Sequence, residues 1–230
     1  MSTFKGLPKD FFVFFKELKA NNERAWFEEN KQRYKDSVVA PLSDFITAMA
    51  PRVAKISKHI VADPRPNGGS MFRIYRDVRF AKDKSPYKTH AGVHFRHALG
   101  RHAHVPGYYM HFATDEVFFG GGIWMPEPDA LGKIRRAIAG EPKAWKKVVE
   151  DKTFAAAFNG IDGEALSRPP KGFDAEHPYI GDIKRKSFFA MTESTPKVAQ
   201  SPALLDEVEK SFRAAKPLMK FVCDALDAPF

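Results

Sequence analysis

A chain of 230 residues with 37 Lys and Arg against 28 Asp and Glu carries a formal net charge of +9. That is long enough for one sizeable core or two small ones. With 43% hydrophobic residues and 21 Phe it excludes disorder over any long stretch, and its single cysteine, Cys223, excludes an internal disulfide and a cysteine-based zinc site.

Pro8 suits the first turn of a helix, and Asp10 places a carboxylate near the helix's positive end. Phe11, Phe14, Phe15 and Leu18 follow at helical spacing. Asn21-Asn22 interrupts the chain, and a second helix carries Trp26, Phe27, Asn30 and Tyr34. A third periodic stretch runs over 42–56, so 9–58 reads as a helical N-terminal third.

The turn-rich run 63–70 (DPRPNGGS) marks a change of period from helical towards two. Strands are expected at 72–80, 91–97, 108–113 and 117–121, and the short connections imply an antiparallel meander. GGGIWMPEP should end the sheet. Helical periodicity returns from Pro128, in two helices divided near Gly140-Glu141-Pro142. A strand pair is expected around 180–191. A last helix follows Ser201-Pro202, with a kink or restart at Lys216-Pro217.

Between Phe72 and Lys88 the chain reads FRIYRDVRFAKDKSPYK, in which six cations against two carboxylates supply four units of the net +9. On a regular strand, Phe72, Ile74, Arg76, Val78 and Phe80 would share one face, and Arg73, Tyr75, Asp77 and Arg79 the other. Arg76 in an apolar stripe needs a carboxylate, carbonyls or a bound anion, since an unpaired buried charge costs several kcal/mol or more. Arg73, Arg76 and Arg79 could fork onto the oxygens of an anion. Lys82, Lys84 and Lys88 could close over it as point charges, or belong to a solvated loop. Asp77, beside two arginines, should be ionised.

From Lys84 to Thr114 there is no Asp or Glu, yet six of the eight His fall there: His90, His94, His97, His102, His104 and His111. His90 and His94 on one strand would lie about 13 Å apart, too far to share an ion. His102 and His104 lack neighbouring Cys or carboxylate ligands, so no metal site is expected. No nucleophile elbow, zinc-protease helix or dinucleotide fingerprint is present. His111 is the candidate acid/base group. Gly120, Gly121 and Gly122 would permit close backbone packing or leave room for a ligand.

These segments resemble the signature of a conserved hypothetical family, domain of unknown function 2461. FFKELKANNERAWFEENKQRY, FRIYRDVRFAKDKSPYKTH, YYMHF, FGGGIWMPEPDAL with Ile134-Arg135, RPPKGFDAEHP and the closing Lys216-Pro217-Leu218 carry the resemblance. It implies a fold and no activity.

The expectation is one α+β domain over 1–230, a central antiparallel sheet with helices from the N-terminal third and C-terminal half packed on it. No apolar run approaches the roughly 20 residues of a membrane span, and the opening residues lack a signal peptide's pattern. The expected location is therefore the cytoplasm, without a membrane partner. The expected site is an anion pocket built from Arg73, Arg76, Arg79, Lys82, Lys84, Lys88 and His111. Tyr75, Asp77, Asp83, Tyr87 and Gly120–Gly122 support it, and no cofactor is called for. A phosphorylated small molecule or nucleotide is the ligand class. Two alternatives stand beside it. One is a nucleic-acid module stacking bases on Phe72, Tyr75, Tyr87, Tyr108 and Phe112. The other is a structural or interaction protein whose basic signature is an internal ion-pair network.

Overall fold

The computed structural model describes residues 4–100 and 104–230. Five strands form one antiparallel sheet in chain order: β1 (Ile60–Val61), β2 (Ala91–His97), β3 (Gly107–Phe112), β4 (Val117–Ile123) and β5 (Phe188–Ser194). Ahead of it come helices α1 (Lys9–Ala20), α2 (Arg24–Glu29), α3 (Lys31–Tyr34) and α4 (Ala40–Ala54), with a π-helical turn at Lys35–Val39. Between β4 and β5 lie α5 (Pro128–Gly140), α6 (Pro142–Val149), α7 (Lys152–Ala157) and α8 (Ile180–Ile183). After β5 come α9 (Pro196–Ala199) and the long α10 (Ala203–Ala225).

Strand alternation divides the sheet into two unlike faces. On the inner face Val93, Phe95, Tyr108, Met110, Phe112, Phe119, Phe188 and Ala190 are fully buried. Each large apolar side chain so buried contributes roughly 1.5–3 kcal/mol. α1 and α4 reach this face through Phe11 and Phe45, whose rings meet Phe112 edge-on at 6.2 and 5.9 Å. Phe212 of α10 stacks on Tyr108 at 4.1 Å, and Trp145 of α6 meets Phe188 at 6.3 Å. The helices of both halves therefore cover one side of the sheet, the α+β architecture expected.

The predicted strand 72–80 is not a strand. Its contacts with the sheet and with itself reduce to single bridges, Met71 with Val93 and Tyr75 with Tyr87, so 72–90 forms an irregular loop doubled back on itself. The reason is local: charged side chains bond the loop's own backbone and one another in place of a ladder. The supposed alternation fails with it, for Ile74 is buried while Phe80 is 95% exposed. Gly120–Gly122 lie inside β4 rather than after it. The region around 180–191 supplies α8 and β5 rather than a strand pair, and α10 runs unbroken past Pro217. Among the described residues no helix is long and apolar enough to cross a membrane.

Candidate ligand groove

Register fixes what lies on the outer face. Glu193, Phe118, His111 and Gly92 are successive cross-strand partners, and so are Met191, Gly120, Tyr109 and His94. Phe189 pairs with Gly122 and Gly122 with Gly107. Glycine thus occupies four outer positions of this floor, and neighbouring side chains close over two of them, Phe72 and Tyr109 over Gly92 and His94 over Gly107. The fit is tight. A Cβ on Gly120 would stand 1.9 Å from the Ala190 carbonyl oxygen, and one on Gly107 2.3 Å from His94 Nε2. This is the close packing expected of the glycine run, although Gly121 faces inward against Tyr108 and Met219.

A groove of about 1150 Å³ lies over this floor, ample for a drug-sized molecule. Phe72, His94 and Tyr109 line its β2 end; Trp124, Phe189 and Asp162 line its β5 end. Trp124 is 72% exposed and leans on Phe189 with ring centres 5.3 Å apart. Asp115 and Glu116 of the β3–β4 turn and Glu193 of β5 also line it, and neither Lys nor Arg is among the described lining residues.

Burial sets the ionisation of the polar groups here. It pulls His94 down to about 4, with the Arg96 cation adding to the effect. It pulls His90 down to about 4 as well, helped by His111 and Lys88, and lowers His111. It raises the Tyr109 phenol to about 12. The imidazoles are therefore neutral at physiological pH, each with one donor and one acceptor nitrogen. His111 is sandwiched between Phe118 at 4.7 Å and His90 at 4.2 Å, with Tyr109 Oη 3.2 Å from its Nδ1.

The basic signature is divided. Arg76 donates to Asp83 and to the Ser85 carbonyl oxygen at 3.1 Å, so the residue that the alternation placed in an apolar stripe is satisfied within its own loop. Arg79 grips Asp77 through two bonds of 2.9 and 2.7 Å, which hold that carboxyl at about 2. Asp83 also lies below the usual carboxylate range, first through its bonds from Ser85 and then through Arg76. Lys84 donates to the carbonyl oxygens of Val78 and Arg79, whereas Lys82 is exposed.

Lys88 gathers instead at Phe72, which lines the groove. Phe72 lies across β2, its backbone N–H donating to the Gly92 carbonyl oxygen. Lys88 Nζ and the Arg96 guanidinium sit 5.5 and 5.3 Å from the Phe72 ring centre, attracted by its electron-rich face. Lys88 donates to the Arg73 carbonyl oxygen at 2.7 Å, and burial followed by the Arg73 charge lowers its pKa. Lys88 and Arg96 thus stand against Phe72 at the β2 end, with the Arg73 charge near Lys88, and none of the three is among the residues that line the groove.

Tyr75 is half-exposed against Phe27, and Tyr87 is buried, stacked on Phe27 at 4.2 Å. Tyr87, Tyr108 and Phe112, three of the expected base-stacking residues, are core residues with no free face. His102 lies outside the described residues. Among those described, no group of three or more His, Cys, Asp or Glu is placed to hold a metal ion. Sequence reasoning missed His94, Tyr109, Trp124 and Phe189 as groove residues. The signal that could have found them is the spacing of Gly92, Gly107, Gly120 and Gly122, which register puts on one face.

The family model for Conserved hypothetical protein (DUF2461) matches residues 10–221. The chain belongs to this family. The DUF2461 match takes in the sheet, the basic loop and most of α10, so every wall of the groove lies within it. No curated protein matches the chain by sequence.

Proposed function

We propose that the protein is a cytoplasmic binder of an anionic small molecule, a phosphorylated metabolite or nucleotide, held in the groove with its anion at the Phe72 end, beside Lys88 and Arg96. The observation that carries this reading is the position of Phe72, which lines the groove while Lys88 and Arg96 stand against its ring. A charged group at this end would meet guanidinium and ammonium donors. Arg76, Arg79 and Lys84 have the supporting role of keeping the loop's shape, as the ion-pair alternative supposed for the whole signature. Calorimetric titration with phosphorylated metabolites at low salt tests the reading. Lys88→Met should weaken binding tenfold or more, and equal affinity in the folded variant would refute it.

One observation favours a second reading. Phe80 stands 95% exposed at the loop, with the Arg79 guanidinium 5.8 Å from its ring, a pairing suited to stacking on single-stranded nucleic acid. It calls for affinity that falls steeply with salt and for loss of binding in Phe80→Ala.

A further inference from the structure

The β5 end of the groove is built on Asp162. Its backbone N–H donates to the Phe189 carbonyl oxygen at 2.7 Å, bridging to the edge strand, and one carboxylate oxygen accepts the Met191 N–H at 3.1 Å. The other oxygen makes no hydrogen bond among the described residues, and no Lys or Arg among them pairs with it. Arg185, which reaches the neighbouring Gly163 carbonyl oxygen at 3.1 Å, is committed to Asp182. The groove supplies no counter-charge either, since its described lining holds neither Lys nor Arg.

Trp124 stands at the same corner, 72% exposed and tilted 44° to Phe189. Its place is set by the next residue. Met125 turns the chain with a φ of +43°, which few side chains adopt, and donates its N–H to Ser187 Oγ at 2.8 Å. A firmly placed indole left mostly open, beside a carboxylate with spare capacity, is arranged for something outside the chain.

We infer that this corner takes a positively charged, methylated nitrogen, so that the groove's ligand is a quaternary ammonium compound. Trp attracts cations more strongly than any other aromatic side chain, and Asp162 adds a counter-charge within a cleft, where it acts more strongly than in open water. A primary ammonium would bring three N–H donors to one spare carboxylate oxygen. A fully methylated nitrogen brings none and keeps its charge for the ring and the carboxylate. The inference goes beyond the anion reading and stands without it. Phe72 lies over β2 and Phe189 stands on β5, three strand spacings or about 14 Å apart across the sheet. Where both hold, one extended molecule carries a phosphate and a quaternary nitrogen.

The test is calorimetry at low salt and pH 7.5 with choline, ethanolamine and 3,3-dimethylbutan-1-ol, which copies the shape of choline with carbon in place of nitrogen. Choline should bind tenfold or more tighter than either of the others. Asp162→Asn removes the charge while keeping an oxygen for the Met191 N–H, and should weaken choline severalfold. Trp124→Leu leaves the core untouched and should bring choline down to the level of the alcohol. Choline should also change the tryptophan fluorescence of the parent protein, and that change should vanish in Trp124→Leu. The alcohol or ethanolamine matching choline would overturn the inference, as would no binding of choline or an unchanged preference in both variants. Inorganic phosphate, titrated separately into the parent protein and Lys88→Met, decides the anion reading on its own, so that failure of either is told apart from failure of the other.

Discussion

Arg76 and Asp83 close the basic loop on itself: the guanidinium bonds to the carboxylate seven residues ahead and, through the same nitrogen, to the Ser85 carbonyl. The pair works as a clasp for a segment that has almost no ladder of its own. Arg76→Met should therefore speed amide hydrogen exchange and limited proteolysis across 76–85. Its effect on anion affinity should be smaller than that of Lys88→Met. Loss of all anion binding with an unchanged exchange pattern would show that Arg76 contacts the ligand instead.

The glycine floor makes a sharper demand. Gly120→Ala drives a carbon into the Ala190 carbonyl oxygen, a backbone atom that can yield only if β5 shifts. A loss of about 3 kcal/mol or more is expected in urea unfolding, at or above the usual range for overpacking. Gly140→Ala is the control, since open space surrounds that site in the last turn of α5. There the better helix former should be neutral or add up to about 1 kcal/mol.

The outer-face histidines predict an acid-sensitive fold. His90 and His94 titrate near 4 in the folded protein, against about 6.5 in an unfolded chain. Between those values the unfolded state binds more protons, so stability falls as pH drops. The contribution is complete above pH 6.5, declines through the window and is gone below about 4. Urea midpoints measured from pH 7.5 to 4 should show this fall, and His94→Phe should flatten it. An unchanged slope in the variant would mean that His94 titrates normally.

Tyr108 ties the sheet to the long helix. Its hydroxyl donates to the Phe212 carbonyl oxygen at 3.0 Å, one residue before Arg213, whose carbonyl gets no N–H from Pro217 a turn later. Tyr108→Phe should cost about 1–2 kcal/mol, the range for losing one buried hydrogen bond. Thermal unfolding would measure it, and no loss at all would mean that water replaces the bond.

Much of this fold was legible because its signals are local. Phe11, Phe14, Phe15 and Leu18 repeat at helical spacing, and 91–97 is bounded as a strand by its alternation. The basic loop misled for a physical reason. Arg73, Tyr75, Asp77 and Arg79 alternate as a strand would, but Asp77 pairs with Arg79 two residues on and Arg76 with Asp83 seven residues on, which a ladder does not require. The groove was hidden for another reason. Whether His94 and Tyr109 face solvent or core depends on register across strands, and a shift by one residue would exchange the faces. Arg73 and Lys88 were visible as cations, yet their nearness to Phe72 depends on how the loop folds over β2.

Strand order follows chain order, yet residues 124–187 separate β4 from β5. β2, β3 and β4 can pair through short connections, whereas β5 must wait until that long segment has closed. Phe189 and Met191, which belong to the groove's aromatic and apolar wall, arrive only then. During synthesis on the ribosome Phe72 and the cations around it therefore emerge well before the β5 wall, and the cavity is complete only after the C-terminal part has emerged and docked.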